Sequence, residues 1–186
     1  GDYSNRTTDE IVGVFERLSH YCASKESKIS EEQYDPIVKA VIQKLPDMND
    51  EEIMKVLVDL TRFPPSITPR ERNFSELWNC IDDQLWAKLK YWRYPDMLKA
   101  MNAYYRLGIN KISPFNNKAI LKITRKVEDL PPSMLVEAMF YQSIIRHEDV
   151  PMYNVERRFY EILDQLDLNE IGIITIAFFK REAKIL

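Results

Sequence analysis

Val41-Ile42-Gln43-Lys44-Leu45-Pro46 and Lys126-Val127-Glu128-Asp129-Leu130-Pro131 are the same phrase written twice: an amphipathic run, a leucine, and a proline that forces a turn. A third copy is Glu161-Ile162-Leu163-Asp164-Gln165-Leu166-Asp167, and a looser one is Gln84-Leu85-Trp86-Ala87-Lys88-Leu89. Each is followed by another amphipathic run, and these begin near positions 49, 94, 131 and 167, with an unpaired first copy near 8. The intervals, roughly 36 to 45 residues, match the period of two-helix repeat units. Stacked units of this kind build an extended surface that holds another molecule, and rarely an enclosed catalytic pocket.

Start signals support the helical reading. Thr7-Thr8-Asp9-Glu10, Asn49-Asp50-Glu51-Glu52 and Asp167-Leu168-Asn169-Glu170 have the form of capping boxes. Proline falls where first turns are expected, in Asp35-Pro36, Tyr94-Pro95, Ser113-Pro114, Pro131-Pro132 and Val150-Pro151, and Gly108 reads as a stop. Apolar residues recur every three or four positions: Ile11, Val14, Phe15, Leu18 and Cys22; Ile53, Val56, Leu57 and Leu60; Phe74, Leu77, Trp78, Ile81, Leu85 and Leu89; Val155, Phe159, Ile162, Leu163 and Leu166. No segment alternates as a half-buried strand would. The expectation is an all-α chain of about nine helices, in antiparallel pairs stacked as a right-handed α-solenoid. It reads as a single domain over 1–186, with amino-terminal repeats over 7–92 and a second set over 93–186. Phe63-Pro64-Pro65-Ser66-Ile67-Thr68-Pro69-Arg70 must be a loop, the best candidate for a hinge.

The chain has 186 residues, 45% of them apolar and 30% charged, which excludes a disordered chain. Its longest apolar run, Ile171 to Phe179, is too short to span a bilayer, so no membrane partner is expected. No cleavable leader is visible, Gly1 has the look of an expression scar, and the chain reads as a piece of a longer protein. Cys22 and Cys80 sit at apolar helical positions and are expected to be reduced core thiols.

Catalytic signatures are absent. The glycines, at 1, 13, 108 and 172, cannot assemble a phosphate-cradling loop. His20 and Cys22, two apart on a helix, point in divergent directions, and His147 is remote, so no metal site is expected. Glu51-Glu52 reads as a helix start and Asp82-Asp83 as a solvated face. Met97, Met101, Met134 and Met139 read as core. The expectation is a protein that is not an enzyme, with no cofactor and no small-molecule substrate.

Charge is the remaining signal. The net charge is −3, yet from Lys88 to Lys126 ten basic residues meet one acid, Asp96, a local net of +9 against −12 elsewhere. Lys118, Lys122 and Arg125 share a helical face with Lys126 at its edge, and Lys99, Asn102 and Arg106 form a comparable stripe. Lys90-Tyr91-Trp92-Arg93-Tyr94 interleaves rings with cations, the chemistry a single-stranded nucleic acid requires. The candidate RNA-binding residues are therefore Lys88, Lys90, Trp92, Arg93, Tyr94, Lys99, Arg106, Lys111, Lys118, Lys122, Arg125 and Lys126, with Trp92 or Tyr94 stacking on bases. The competing readings are an ordinary solvated face with Trp92 in the core, or a surface for an acidic partner protein.

Four passages resemble the FAST-kinase-domain family. They are Met97-Leu98-Lys99-Ala100-Met101-Asn102-Ala103-Tyr104-Tyr105-Arg106-Leu107-Gly108, Ser113-Pro114-Phe115-Asn116, Leu130-Pro131-Pro132-Ser133-Met134-Leu135-Val136-Glu137-Ala138-Met139-Phe140, and the closest, Leu166-Asp167-Leu168-Asn169-Glu170-Ile171-Gly172-Ile173-Ile174-Thr175-Ile176-Ala177-Phe178-Phe179-Lys180. The resemblance implies a helical array preceding a RAP module of nuclease-like fold, which would lie beyond Leu186. It implies action on RNA, mostly mitochondrial transcripts, in stability, processing and ribosome assembly, and it does not imply kinase chemistry. Expected partners are single-stranded RNA or a protein within a ribonucleoprotein complex. The expected location is mitochondrial, with a cytoplasmic ribonucleoprotein granule as the alternative.

Overall fold

The computed structural model describes residues 3–25, 30–64 and 72–182. Among them there is no strand, and the helices are α1 (Thr8–Lys25), α2 (Glu31–Lys44), α3 (Asp50–Leu60), α4 (Arg72–Lys88), α5 (Tyr94–Leu107), α6 (Pro114–Thr124), α7 (Pro132–Ile145), α8 (Met152–Ile162) and α9 (Leu168–Glu182). The fold is all-α, with helices packed against their neighbours. Most of the proline-rich segment expected as a loop lies outside the described residues.

Each copy of the phrase falls on a turn of the same kind, though out of register, since Leu45 and Leu89 open theirs while Leu130 and Leu166 close theirs. Short 3-10 turns follow α2, α4, α6 and α8, at Leu45–Asp47, Leu89–Tyr91, Val127–Asp129 and Leu163–Gln165. In each, the amide three residues after the opening residue donates back to it: Met48 to Leu45 at 3.1 Å, Trp92 to Leu89 at 3.1 Å, Leu130 to Val127 at 3.2 Å, Leu166 to Leu163 at 3.3 Å. The next residue starts the following helix. The carbonyls of Asn49, Arg93, Pro131 and Asp167 accept from Ile53, Met97, Leu135 and Ile171, four positions on in each case. Met48, Trp92 and Leu130 are buried and Leu166 is half-buried, so this position anchors each turn. A short backbone hydrogen bond and an apolar anchor thus pin the chain reversal at the same offset four times.

The helix starts follow from capping chemistry. Asn49 accepts from the Glu52 amide at 2.8 Å while Glu52 accepts from the Asn49 amide at 3.1 Å, and Asp167 with Glu170 repeats the exchange. Ser113 accepts from the Asn116 amide at 3.0 Å, with Pro114 opening α6. One proline departs from expectation. Helix α2 begins at Glu31, where the Gln33 side chain accepts from the Ser30 amide, so Pro36 lies inside the helix and not in its first turn. Its missing N–H leaves the Glu32 carbonyl without the usual intrahelical donor.

The chain forms two compact units: Gly1–Lys88 with Arg106–Ile109, and Leu89–Tyr105 with Asn110–Leu186. The sequence reading had placed an internal division of one domain at 92/93. In the first unit α1 packs on α2 and α3, and α4 on α2 and α3. Rings of Phe15, Phe63, Phe74 and Tyr34 run through its core with centroid separations of 5.4, 4.9 and 5.0 Å. Because α4 faces two helices, its buried stripe widens to take in Asp82, which is 2% exposed; Asp82 is therefore not part of a solvated face, whereas Asp83 is. In the second unit α7 packs on α6 and α9, and α8 on the turns at Val127–Asp129 and Leu163–Gln165. Buried Ser113, Asn110 and Asn116 hold the α5–α6 connection, the Asn116 amide donating to the Asn110 carbonyl at 3.3 Å.

Candidate nucleic-acid interface and groove

The basic candidates divide between the units. Lys88 and Arg106 fall in the first; Lys90, Trp92, Arg93, Tyr94, Lys99, Lys111, Lys118, Lys122, Arg125 and Lys126 fall in the second. Lys88 is occupied by Asp50, at 3.0 Å. Arg106 is exposed at the end of α5.

Within the second unit the candidates do not share one role. Trp92 is 8% exposed, because it occupies the anchor position held by Met48 and Leu130 in the sister turns. Its ring is closed to a base. The exposed ring in this segment is Tyr91, 74% accessible, with the Lys90 ammonium 5.0 Å from its centroid. The site assignment from sequence missed Tyr91. Aligning the four turns would have exposed the difference, since the residue before each helix cap is apolar in all four and buried in three. Tyr94 is half-buried at the start of α5.

Lys122 is also structural. Its ammonium donates to the Leu89 carbonyl at 2.8 Å, reaching back to the opening of the preceding turn. Arg158, at the corresponding place five residues before the next turn, donates to the Leu130 carbonyl at 3.3 Å. Successive repeats are thus tied by a cation on the later helix bonded to main chain in the earlier turn. Arg93, Lys99, Lys111, Lys118, Arg125 and Lys126 remain exposed, and among the described residues Arg93, Lys99, Lys111, Arg125 and Lys126 enter no ion pair.

Lys99 opens onto a different feature. A groove of about 720 Å³ runs between α5 and α7 and reaches α9 at Ile173; its walls include Leu98, Met134, Val136 and Phe140, and its polar groups Lys99, Asn102, Ser133, Glu137 and Tyr141. Met134 is half-exposed here, while Met97, Met101 and Met139 are core as expected. The Tyr141 hydroxyl, buried at the groove floor, is hydrogen-bonded to Asn102 and Glu137. Burial pushes the Tyr141 hydroxyl well above its ordinary value, and burial likewise raises the Glu137 carboxyl, partly offset by the Tyr141 hydrogen bond.

Elsewhere, a smaller cleft of about 260 Å³ between α1 and α3 is lined by Asp9, Glu16, Glu51, Glu52 and Lys55, with Lys55 bonded to Glu16 at 2.8 Å. That hydrogen bond lowers the Glu16 carboxyl and raises the Lys55 ammonium. Asp59 is raised by burial in spite of its ion pair with Arg62. Cys22 is buried and Cys80 half-buried, and burial raises both thiols, so neither is poised as a nucleophile. Among the described residues no three His, Cys, Asp or Glu side chains cluster as a metal site, and no helix is long and apolar enough to cross a membrane.

Comparison of the chain with family models, with curated proteins and with solved structures finds no match.

Proposed function

We propose that this chain is a non-catalytic helical-repeat segment of a FAST-kinase-domain-like protein that binds single-stranded RNA, acting in RNA stability, processing or ribonucleoprotein assembly. The family assignment, and with it a mitochondrial location, rests on the four passages quoted above. The observation that carries RNA binding is the set of exposed cations of the second unit, Arg93, Lys111, Arg125 and Lys126, which no acidic side chain neutralises among the described residues, together with the exposed ring of Tyr91, two residues before Arg93. Unneutralised cations supply counterion release on phosphates, and an open aromatic face supplies sequence-tolerant stacking.

The test is anisotropy of a fluorescent single-stranded RNA, titrated across salt, with wild type and with Arg93→Glu/Arg125→Glu/Lys126→Glu. Lys122 is left intact because it bonds the Leu89 carbonyl. For a single strand the slope of log K against log salt changes by about 0.7 per phosphate contact, so the triple variant is expected to lose about 2 from the slope. Absence of binding by folded wild type at low salt would overturn the RNA reading. A second reading, a protein-interaction scaffold, is favoured by α8, where Tyr153 and Tyr160 are 77% and 65% exposed with exposed Arg157 between them, the residue types that anchor protein interfaces.

A further inference from the structure

Opposite charges share the α5–α7 groove without meeting. Lys99 and Glu137 both line it, yet among the described residues neither enters an ion pair. A half-buried carboxylate in a mostly apolar trough is costly unless something hydrogen-bonds to it. Its side-chain partner is the Tyr141 hydroxyl, which also interacts with Asn102, and all three line the same groove. A carboxylate has about four acceptor sites, so one hydroxyl leaves most of its capacity open to a ligand. The groove volume, about 720 Å³, lies in the range of small-molecule sites, roughly 300–1,000 Å³, and the walls at Leu98, Met134 and Phe140 are suited to the faces of a planar ring.

The ligand edge that fits is a pair of adjacent N–H donors on a flat heterocycle. Guanine presents them at N1 and N2. Adenine, cytosine and uracil each set a ring nitrogen acceptor or a carbonyl beside their donor, which repels a carboxylate. Lys99, on the same face of α5 one turn before Asn102, supplies a cation for the phosphate.

We propose that the α5–α7 groove is a guanine-nucleotide site in which Glu137 receives the N1 and N2 hydrogens and Lys99 the phosphate. The guanine belongs either to a free mononucleotide or to an unpaired residue of single-stranded RNA; in the second case the site deepens the RNA reading above.

Calorimetric titration of the 186-residue chain with GMP, IMP and AMP tests the first source, and anisotropy with UUGUU, UUAUU and oligo-U tests the second. GMP or UUGUU is expected to bind at least about tenfold tighter than its adenine counterpart, with IMP, which lacks the N2 amino group, weakened toward AMP. Glu137→Gln, whose amide offers a donor beside an acceptor and so suits adenine better than guanine, is expected to abolish or reverse the preference for guanine, and Lys99→Met to weaken all nucleotides alike; circular dichroism confirms that both variants fold. Guanine preference in UUGUU without GMP binding assigns the site to RNA, and comparable affinity for both assigns it to the free nucleotide. Equal binding of guanine and adenine probes, or a preference that survives Glu137→Gln, overturns the proposal and leaves the groove to a protein segment. The two readings fail separately. Oligo-U binding without guanine preference removes the groove site alone, and GMP binding without any oligo-U binding removes the basic RNA face alone.

Discussion

Replacing Trp92 separates a core anchor from a stacking platform. The indole is 8% exposed and stands where the sister turns place Met48 and Leu130, and its N–H meets no acceptor among the described residues. Trp92→Ala removes that buried ring and leaves a cavity behind the turn at Leu89–Tyr91. Large aromatic truncations in cores cost about 3–5 kcal/mol. In a chain of this size each kcal/mol shifts the melting temperature by about 2–4 °C, so the loss should be roughly 6–20 °C. Trp92→Phe gives up part of the buried area but also removes an unpartnered polar group, whose burial costs about 1–3 kcal/mol. The two effects oppose one another, and the phenylalanine variant is expected to melt within about 4 °C of wild type. The assay is thermal denaturation followed by far-ultraviolet circular dichroism, with RNA anisotropy on the same samples. The anchor argument would be refuted if Trp92→Ala melted with wild type while losing RNA binding.

Lys122→Met strips the Leu89 carbonyl of its side-chain donor and is expected to cost about 0.5–1.5 kcal/mol in urea unfolding, whereas Arg125→Met, on an exposed and unpaired cation, should stay within about 0.5 kcal/mol. Asn49→Ala and Asp167→Ala each delete one half of a capping exchange, with an expected loss of about 0.5–2 kcal/mol apiece, and an unchanged midpoint for either would show that the cap is frayed in solution. Glu137→Gln should raise stability near neutral pH and flatten its pH dependence. The folded carboxyl is raised above the ordinary 4.5, so between the two values the unfolded chain has released the proton while the fold retains it, and wild-type stability falls as pH rises through that window. Melting temperatures of both proteins from pH 4 to pH 8 check the sign; a wild type that gains stability across the window relative to the variant contradicts it.

What was readable in advance was local. Capping boxes at Asn49 and Asp167, the glycine stop at Gly108 (φ +73°) and the apolar spacing of three and four all depend on neighbours within a turn or two, and the helices begin where those signals stand. The phrases ending at Leu45 and Leu130 each announced a turn, but out of register: Leu45 opens its turn and Met48 is the buried anchor, whereas Leu130 is itself the anchor of the turn that Val127 opens. Where local rules were overridden, packing or backbone context was the cause. Pro36 falls in a helix interior because the cap at Ser30 starts α2 earlier, and Arg146 ends α7 with φ 54° without being a glycine, its backbone N–H donating to the Gln142 carbonyl.

By itself, then, the sequence determined the all-α class, the repeat offset and the concentration of positive charge, since composition, periodicity and capping are encoded residue by residue. Only the tertiary structure decided which charges and rings face outward. Trp92 and Tyr91 are adjacent in sequence, yet one fills a turn and the other stands in solvent. Lys122 and Arg125 share a helical face, yet one bonds a distant carbonyl and the other remains free of ion pairs among the described residues. Glu137 and Lys99 come to one groove from helices separated by α6 in the chain. Burial is a property of what a neighbouring element brings to a side chain, and helical periodicity specifies a face without specifying what lies against it.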